Sequence, residues 1–193
     1  MKGCQSAIEG TLHTPPERAG QWGQPEIRSP GRSRRGYNPP VRAVVTRVTE
    51  ASVVVDGDVV GRIGPGLLVL LGVAQGDGDD DAAALCRKVA ELRIFADEAK
   101  PLNRSVEEVG GAVLVVSQFT LLADTSRGRR PSLGRAAPPA EAERLYESFV
   151  VALRARGLHV STGRFGATMR VGSVNDGPVT ILLSTLAGDD LCG

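Results

Sequence analysis

The chain has 193 residues, of which 41% are apolar and 23% are charged, and it carries a formal net charge of +1. This length and composition suit one globular domain with a sizeable core, and they exclude a chain that is disordered throughout. No apolar run reaches the roughly 18–20 residues that a membrane-spanning helix needs, and the N-terminus lacks the apolar centre of a signal peptide.

Residues 1–40 differ from the rest of the chain in composition. Paired prolines, scattered glycines and a basic run at 32–35 occur there without periodic apolar spacing, which predicts a disordered or loosely attached extension. A basic tail that touches RNA is one alternative. Another is an artefact of start-site choice, in which the working protein begins at Val41. We predict one domain over 41–185 and a flexible tail over 186–193.

The cysteine and histidine content bears on compartment and metal binding. The three cysteines, Cys4, Cys86 and Cys192, are odd in number and widely spaced, which favours a reducing cytoplasm over a disulfide framework. The two histidines, His13 and His159, lie near no cysteine pair and give no metal-site spacing. We therefore expect a cytoplasmic protein with no metal and no cofactor.

The first half of the domain has the sequence pattern of strands. Residues 42–49 and 51–55 are rich in β-branched side chains and are predicted to be extended. Asp56-Gly57-Asp58 predicts a hairpin turn into a short third strand. Residues 67–73 (LLVLLGV) are apolar on both faces, as in a buried central strand.

Two helices and further strands are predicted beyond this point. An acidic loop at 75–81 leads into a helix with apolar residues on one face, and Pro138-Pro139 begins a second helix that Gly157 ends. Residues 112–116 form a second buried strand, and the closing strands are 158–162, 168–174 and 179–183. This order predicts an α/β domain with a mixed sheet. A doubly wound nucleotide-binding fold is disfavoured because the chain has neither a GxGxxG motif nor a P-loop.

Four segments are candidates for chemistry. SQFTL (117–121) lies where a buried strand ends, and its hydroxyls, amide and backbone N–H groups suit a carbonyl or ribose hydroxyl, although a strand leaving the core also explains it. NDGPVT (175–180) alone favours a hairpin turn. GRFGATM (163–169) suits a pocket wall or a loop with core anchors. The loop containing Arg127, Arg129, Arg130 and Arg135 suits phosphate binding or solvation.

Together these segments resemble the D-aminoacyl-tRNA deacylase family, which has SQxTL and NxGPxT motifs. The similarity covers about 42–185 and includes RVTEASV (47–53), GLLVLLGV (66–73), RIFAD (93–97), LVVSQFTLLADTSRGRRPS (114–132) and GRFGATM. The resemblance implies hydrolysis of D-aminoacyl-tRNA, and of glycyl-tRNA mischarged on tRNA(Ala), as chiral proofreading in translation. It also implies the deacylase-type fold, with barrel-like β layers and two helices, and a homodimer whose active sites lie at the subunit interface.

The resemblance also implies roles for residues. Gly177 and Pro178 are expected to be joined by a cis bond, with their carbonyls facing the substrate's Cα in the partner subunit, and Arg47 is expected to hold that loop. The remaining expectations are catalytic roles for Ser117, Gln118 and Thr120, substrate contacts for Phe119, Phe165, Met169 and Asn175, and tRNA contacts for Arg127, Arg129 and Arg130.

The chemical step has two interpretations. Thr120 acts as a nucleophile or positions water, or the adenosine 2′-hydroxyl assists; the second is favoured because no base is evident for the threonine. A Ser–His–Asp triad lacks a motif that brings His159 near Ser117. Two other functions compete with the deacylase: a non-catalytic RNA-binding module and a serine esterase that acts on small esters.

Overall fold

The computed structural model describes residues 41–126 and 128–185, so the predictions for 1–40, Arg127 and 186–193 fall outside it. The described residues form one compact α/β unit. Its elements are β1 (Arg42–Val55), β2 (Asp58–Ile63), β3 (Gly66–Gly72), α1 (Asp79–Glu91), β4 (Ala112–Ser117), a 3-10 turn (Phe119–Leu122), α2 (Pro139–Ala155), β5 (His159–Thr162) and β6 (Arg170–Ser184).

The strands form one mixed sheet, as predicted. Its order is β2-β1-β3-β4-β5, and β6 pairs with the other edge of β1. The β3–β4 and β4–β5 pairs are parallel, whereas β1 is antiparallel to β2, β3 and β6. The predicted turn at Asp56-Gly57 is confirmed, and both residues have the positive φ that a tight two-residue hairpin requires, 53° and 94°.

β1 is one strand of 14 residues rather than the two segments expected from sequence. Its first half pairs with β3 and its second half with β2, while β6 follows the opposite edge. Ala43 and Val45 pack in the cluster beneath the helices, but Val53 and Val55 pack in a second cluster on the other face. Register shifts between Thr46 and Glu50 allow this change of face, because a bulge rotates the strand.

The sheet is nearly closed into a barrel because β2 approaches β5. Ser161 donates a hydrogen bond from its hydroxyl to the Arg62 carbonyl at 3.0 Å. A Cβ on Gly61 would lie 2.3 Å from the Thr162 carbonyl oxygen. Glycine is therefore required at this closure, since any side chain would separate the two strands.

The central strands are buried on both faces, as their apolar sequences predicted. Leu67 and Val69 of β3 face the helices, whereas Leu68 faces the barrel interior. In β4, Val115 likewise faces the helices and Leu114 faces the barrel interior. The two helices lie together on one face of the sheet, where Phe149 is completely buried. This arrangement fixes the position of the end of β4, from which SQFTL emerges.

The two predicted closing strands 168–174 and 179–183 are a single strand, β6. Residues 175–178 are turn-forming in composition, but pairing with β1 continues on both sides of them. The interpretation of NDGPVT as a simple hairpin turn is therefore wrong. In the part of the chain that the structure describes, no helix has the length and apolar composition to cross a membrane.

Candidate active site

A cavity of about 290 Å³ lies where β4 ends. Ser117 and Phe119 contribute to it from the SQFTL segment, and Phe165 and Met169 from the connection between β5 and β6. The opposite wall consists of small residues at the start of α2 and just before it: Ala136, Ala137, Pro139 and Ala142. Most of this lining is apolar, so the cavity suits a flat ring. Ser117 contributes the one hydroxyl of SQFTL to the lining, whereas Gln118 and Thr120 are not part of it.

The SQFTL segment is held by the backbone next to it. The Gln118 N–H donates to the Leu71 carbonyl at 2.7 Å, and the buried Leu122 anchors the end of the 3-10 turn. Gly72 allows this close packing, because a Cβ there would lie 3.0 Å from the Gln118 carbonyl oxygen. The Gln118 side-chain amide donates to the Thr120 hydroxyl oxygen. The N–H groups at the start of the turn have no partner within it, so they are available to a substrate oxygen.

Phe165 is supported from behind by a buried tyrosine. Its ring centroid lies 5.9 Å from that of Tyr146 on α2, at an interplanar angle of 52°. The Tyr146 hydroxyl donates to the Val115 carbonyl at 3.0 Å, and burial raises its pKa to about 12. Tyr146 thus stays protonated and braces the cavity wall. Sequence reasoning treated it only as part of the apolar stripe of the helix, although a buried tyrosine needs a partner for its hydroxyl.

Met169 packs directly against Gly163, where a larger residue would not fit. A Cβ on Gly163 would lie 2.7 Å from the Met169 sulfur. The GRFGATM segment therefore places both Phe165 and Met169 on the cavity, in agreement with its interpretation as a pocket wall. Ala136 and Ala137 were missed, because nothing in their local sequence indicates that they line a cavity.

NDGPVT forms an exposed protrusion from β6. Thr180 pairs with Thr46 and Asn175 pairs with Val48, so residues 176–179 lie opposite Arg47 alone. The Gly177–Pro178 bond is cis, as the resemblance implies, and Gly177 has a φ of 128°. A side chain is disfavoured at that φ.

Two side chains fix the shape of this protrusion. Arg47, with its side chain 11% exposed, donates from Nε to the Asp176 carbonyl at 3.2 Å and pairs with Asp176 Oδ2 at 3.0 Å. Its Nη1 donates to the Ile94 carbonyl. Asn175 accepts the Val179 N–H at 3.1 Å through Oδ1. Asn175 thus acts on the loop backbone, and Arg47 fastens the loop to the body of the domain.

Within one chain the two motifs lie apart. Ser117 is level with Leu71, Ala43 and Leu183 across the sheet. Gly177 is displaced from it by three strand spacings, roughly 14 Å, and by more than three residue steps, roughly 10 Å, along β6. The cavity lining includes no residue of 175–180. The structure therefore brings SQFTL and GRFGATM together, and leaves NDGPVT elsewhere on the same chain.

The basic loop is a short hairpin between Asp124 and Ser132, which form an antiparallel bridge. Arg129 and Arg130 are exposed on it. Arg135 differs from them because it pairs with Asp124 at 3.2 Å. In the described part of the hairpin, the arginines that are exposed to solvent and suit phosphate binding are therefore Arg129 and Arg130.

His159 lies at the wrong end of the sheet to assist Ser117. It begins β5 and pairs with Ala112, the first residue of β4, whereas Ser117 is the last. Five residues of extended chain separate the two ends by roughly 16 Å. Within one chain, Ser117 and His159 therefore cannot form a catalytic pair. Among residues 41–126 and 128–185, no three His, Cys, Asp or Glu side chains are grouped as metal ligands would be.

Comparison with known proteins gives consistent matches. The family model described as D-Tyr-tRNA(Tyr) deacylase matches residues 44–184. The D-aminoacyl-tRNA deacylase of Cereibacter sphaeroides (strain ATCC 17029 / ATH 2.4.9) is 58% identical over 145 residues, which span 75% of this chain and 100% of the relative. The D-aminoacyl-tRNA deacylase of Dinoroseobacter shibae is 62% identical over 141 residues, covering 73% and 97%.

A solved structure has the same fold. That of the c-Myc DNA Unwinding Element Binding Protein superposes with a TM-score of 0.71 at 41% sequence identity. The match covers 76% of this chain and 99% of that one. The barrel-like sheet with two helices is therefore a fold already known in solved structures.

Proposed function

Because the chain belongs to the D-Tyr-tRNA(Tyr) deacylase family, we propose that it hydrolyses the ester between a D-amino acid and the terminal adenosine of tRNA. The products are the free D-amino acid and free tRNA. The chain is an enzyme of the carboxylic ester hydrolase class that acts on aminoacyl-tRNA, as its relatives are named. The observation that supports the substrate most directly is the apolar cavity that Ser117 and Phe119 of SQFTL line together with Phe165 and Met169.

In the proposed complex, the terminal adenosine enters this cavity. The adenine ring packs against Phe165 and Met169, and Phe119, which is 53% exposed, covers the ring or the amino acid. The ester then lies beside Ser117 and the N–H groups at the start of the 3-10 turn. Those N–H groups stabilise the negative charge that develops on the carbonyl oxygen during attack.

A water molecule is the proposed nucleophile, assisted by the adenosine 2′-hydroxyl. Water adds to the ester carbonyl carbon, the bond to the ribose oxygen breaks, and the departing oxygen receives a proton. Thr120 is a poor nucleophile because the Gln118 amide donates to its oxygen, and an amide donor cannot remove its proton. Gln118 and Thr120 instead orient the ester.

Stereochemistry is proposed to be read by exclusion. The carbonyls of Gly177 and Pro178 lie against the Cα of the substrate, where they leave room for hydrogen but not for a side chain. A D-residue directs its side chain to solvent, whereas an L-residue would clash. Glycine has no side chain, so glycyl-tRNA mischarged on tRNA(Ala) is a further proposed substrate. Discrimination of this kind builds a clash against the wrong substrate.

The site is proposed to form between two copies of the chain. SQFTL and NDGPVT of one chain lie apart, so a second copy has to supply the NDGPVT loop. β6 also exposes apolar side chains along its length, including Val174 at 51% and Leu182 at 79%. A cytoplasmic homodimer that proofreads aminoacyl-tRNA during translation accounts for these features without a cofactor.

Complementation between two damaged variants tests the shared site. Gln118→Ala damages the SQFTL side, and Gly177→Ala damages the loop because its Cβ would lie 2.8 Å from Val179. Each homodimer should be inactive. After subunit exchange, half the dimers are mixed and have one intact site, so about a quarter of wild-type activity should return. No recovery would place both motifs of each site on one chain.

The main assay compares D-Tyr-tRNA and L-Tyr-tRNA, with and without a chelator. We expect the D-ester to be cleaved and the L-ester to survive, with no effect of the chelator. Equal cleavage of both, or of neither, would overturn the proposal. Salt-dependent tRNA binding without turnover would instead support the alternative of an RNA-binding module.

A further inference from the structure

Two backbone hydrogen bonds close the base of the hairpin that follows SQFTL. The Asp124 N–H donates to the Ser132 carbonyl at 2.8 Å, and the Ser132 N–H returns a bond to the Asp124 carbonyl at 2.9 Å. Gly128 has the positive φ, 82°, of a tight turn. Arg129 and Arg130 are exposed between these two points. The hairpin thus presents two guanidinium groups a few residues after the proposed ester-binding segment.

One carboxylate joins this hairpin to the rest of the domain. Asp124 Oδ1 accepts the Ser126 N–H at 2.9 Å, inside the hairpin. Asp124 Oδ2 accepts a hydrogen bond from Arg135 Nη2 at 3.2 Å, outside it. Asp124 therefore shapes the hairpin through one oxygen and fastens it through the other.

Arg135 is itself fixed to the cavity wall. The Gln75 N–H donates to its carbonyl at 2.9 Å, and the Gln75 side-chain amide donates to the Gly134 carbonyl at 3.0 Å. The Ala137 N–H donates to the Val73 carbonyl at 3.0 Å. The residues directly after Arg135 line the cavity. The ion pair thus links the basic hairpin to the segment against which the adenosine is proposed to bind.

We propose that the Asp124–Arg135 ion pair is a positioning device that sets the hairpin at a fixed distance from the cavity. Arg129 and Arg130 then contact backbone phosphates of the tRNA 3′ strand while its aminoacyl-adenosine occupies the cavity. This inference rests on the proposed function. It is needed because charges of the two signs nearly balance in this chain, and affinity for a polyanion has to come from a local, correctly placed group of cations.

Simple electrostatics and positioning predict opposite effects for Asp124→Asn. The change removes a negative charge from a phosphate-binding hairpin, so charge alone predicts tighter tRNA binding. The asparagine oxygen can still accept the Ser126 N–H, but the ion pair to Arg135 is lost, so positioning predicts weaker binding. Glu143→Gln is the matched control, since it removes one exposed carboxylate from α2 and leaves the pair intact.

The experiment compares two substrates, D-tyrosyl-tRNA and D-tyrosyl-adenosine, which lacks the tRNA phosphates. For Asp124→Asn and Arg135→Gln we expect KM for D-tyrosyl-tRNA to rise about three- to fivefold, the range of an exposed ion pair, with kcat unchanged. KM for D-tyrosyl-adenosine should stay at the wild-type value. Arg135→Lys should restore tRNA binding, because the contact uses a single guanidinium nitrogen.

A double-mutant cycle completes the test. If the pair acts as a unit, Asp124→Asn combined with Arg135→Gln should cost little more than either change alone. Binding of uncharged tRNA to the same variants gives a readout that does not depend on turnover. Tighter or unchanged tRNA binding by Asp124→Asn would overturn the inference, as would an equal loss on D-tyrosyl-adenosine. Failure of the wild type to cleave either ester would instead refute the proposed function.

Discussion

The contact between Arg47 and the NDGPVT loop gives the sharpest prediction. In Arg47→Gln the Nε bond to the Asp176 carbonyl, the ion pair to its carboxylate and the bond to the Ile94 carbonyl are all lost. Asp176 is 49% exposed, so solvent screening limits the ion pair to at most about 1 kcal/mol. Leaving the buried Ile94 carbonyl without a hydrogen-bond donor costs about 1–3 kcal/mol of stability. We expect the free energy of unfolding to fall by about 2 kcal/mol, or roughly 6 °C in melting temperature.

The functional loss should exceed the loss of stability. A displacement of about 1 Å at a reacting centre can cost about 100-fold in rate. We therefore expect kcat/KM for D-Tyr-tRNA to fall by about 10- to 100-fold in Arg47→Gln. The ratio of D-ester to L-ester cleavage should fall as well, because a displaced loop no longer excludes the L side chain. Arg47→Lys should recover only part of this, since one ammonium group cannot bridge both carbonyls.

Cleavage rates for both stereoisomers and melting curves measure these effects together. Arg62→Gln is the control, because Arg62 also lies on the sheet and pairs with Glu50, but at 3.6 Å and with its side chain 69% exposed. Loss of the Arg62–Glu50 pair should change neither the cleavage rate nor the melting temperature appreciably. An Arg47→Gln protein with unaltered stereoselectivity would refute the idea that this arginine positions a stereochemical barrier.

Four further predictions concern the mechanism and the fold. Thr120→Ala should keep its turnover rate within about tenfold of the wild type if the 2′-hydroxyl assists the reaction. Complete loss of turnover would instead support Thr120 as the nucleophile. His159→Ala should be fully active, and an inactive variant would revive the esterase interpretation. Gly61→Ala should destabilise the barrel closure by about 1–3 kcal/mol in chemical unfolding, whereas Gly64→Ala, which has nothing within 4 Å of its Cβ, should not. Burial raises the pKa of Asp77 from 3.8 to about 6. The stabilisation that the protonated Asp77 provides is therefore fully present below pH 3.8 and is lost as the pH rises through 6. Relative to Asp77→Asn, the wild type should lose roughly 3 kcal/mol of unfolding free energy between unfolding curves measured at pH 3 and pH 7.

The sequence predicted the elements whose signals are local. Apolar periodicity placed both helices, and the doubly apolar run at 67–73 placed β3 in the centre of the sheet. β6 was divided in two because Asn-Asp-Gly-Pro is turn chemistry, whereas its continuity depends on pairing with β1 more than a hundred residues away. Local composition contains no information about such a partner.

The candidate site was predictable only in part for the same reason. SQFTL and GRFGATM were identified as segments, and they do meet at one cavity. Ala137 was missed, because it becomes a wall only through the bond that its N–H donates to the Val73 carbonyl. The sequence grouped Arg135 with the arginines that suit phosphate binding, but in the structure it pairs with Asp124. That ion pair cannot be predicted from the local sequence.

The proposed division of the site between two copies of the chain explains why the loop is supported by an arginine. A hydrophobic pocket discriminates by volume and tolerates small movements of its walls, but a barrier that separates hydrogen from a carbon branch does not. Gly177 is exposed and has no side chain that packs, so the loop cannot fix its own position. Arg47 is nearly buried, reaches Asp176 and Ile94 together, and thereby transfers the rigidity of the sheet to the exposed carbonyls. If the proposed function holds, we expect a variant with a mobile loop to bind aminoacyl-adenosine still, and to lose the distinction between D and L before it loses activity.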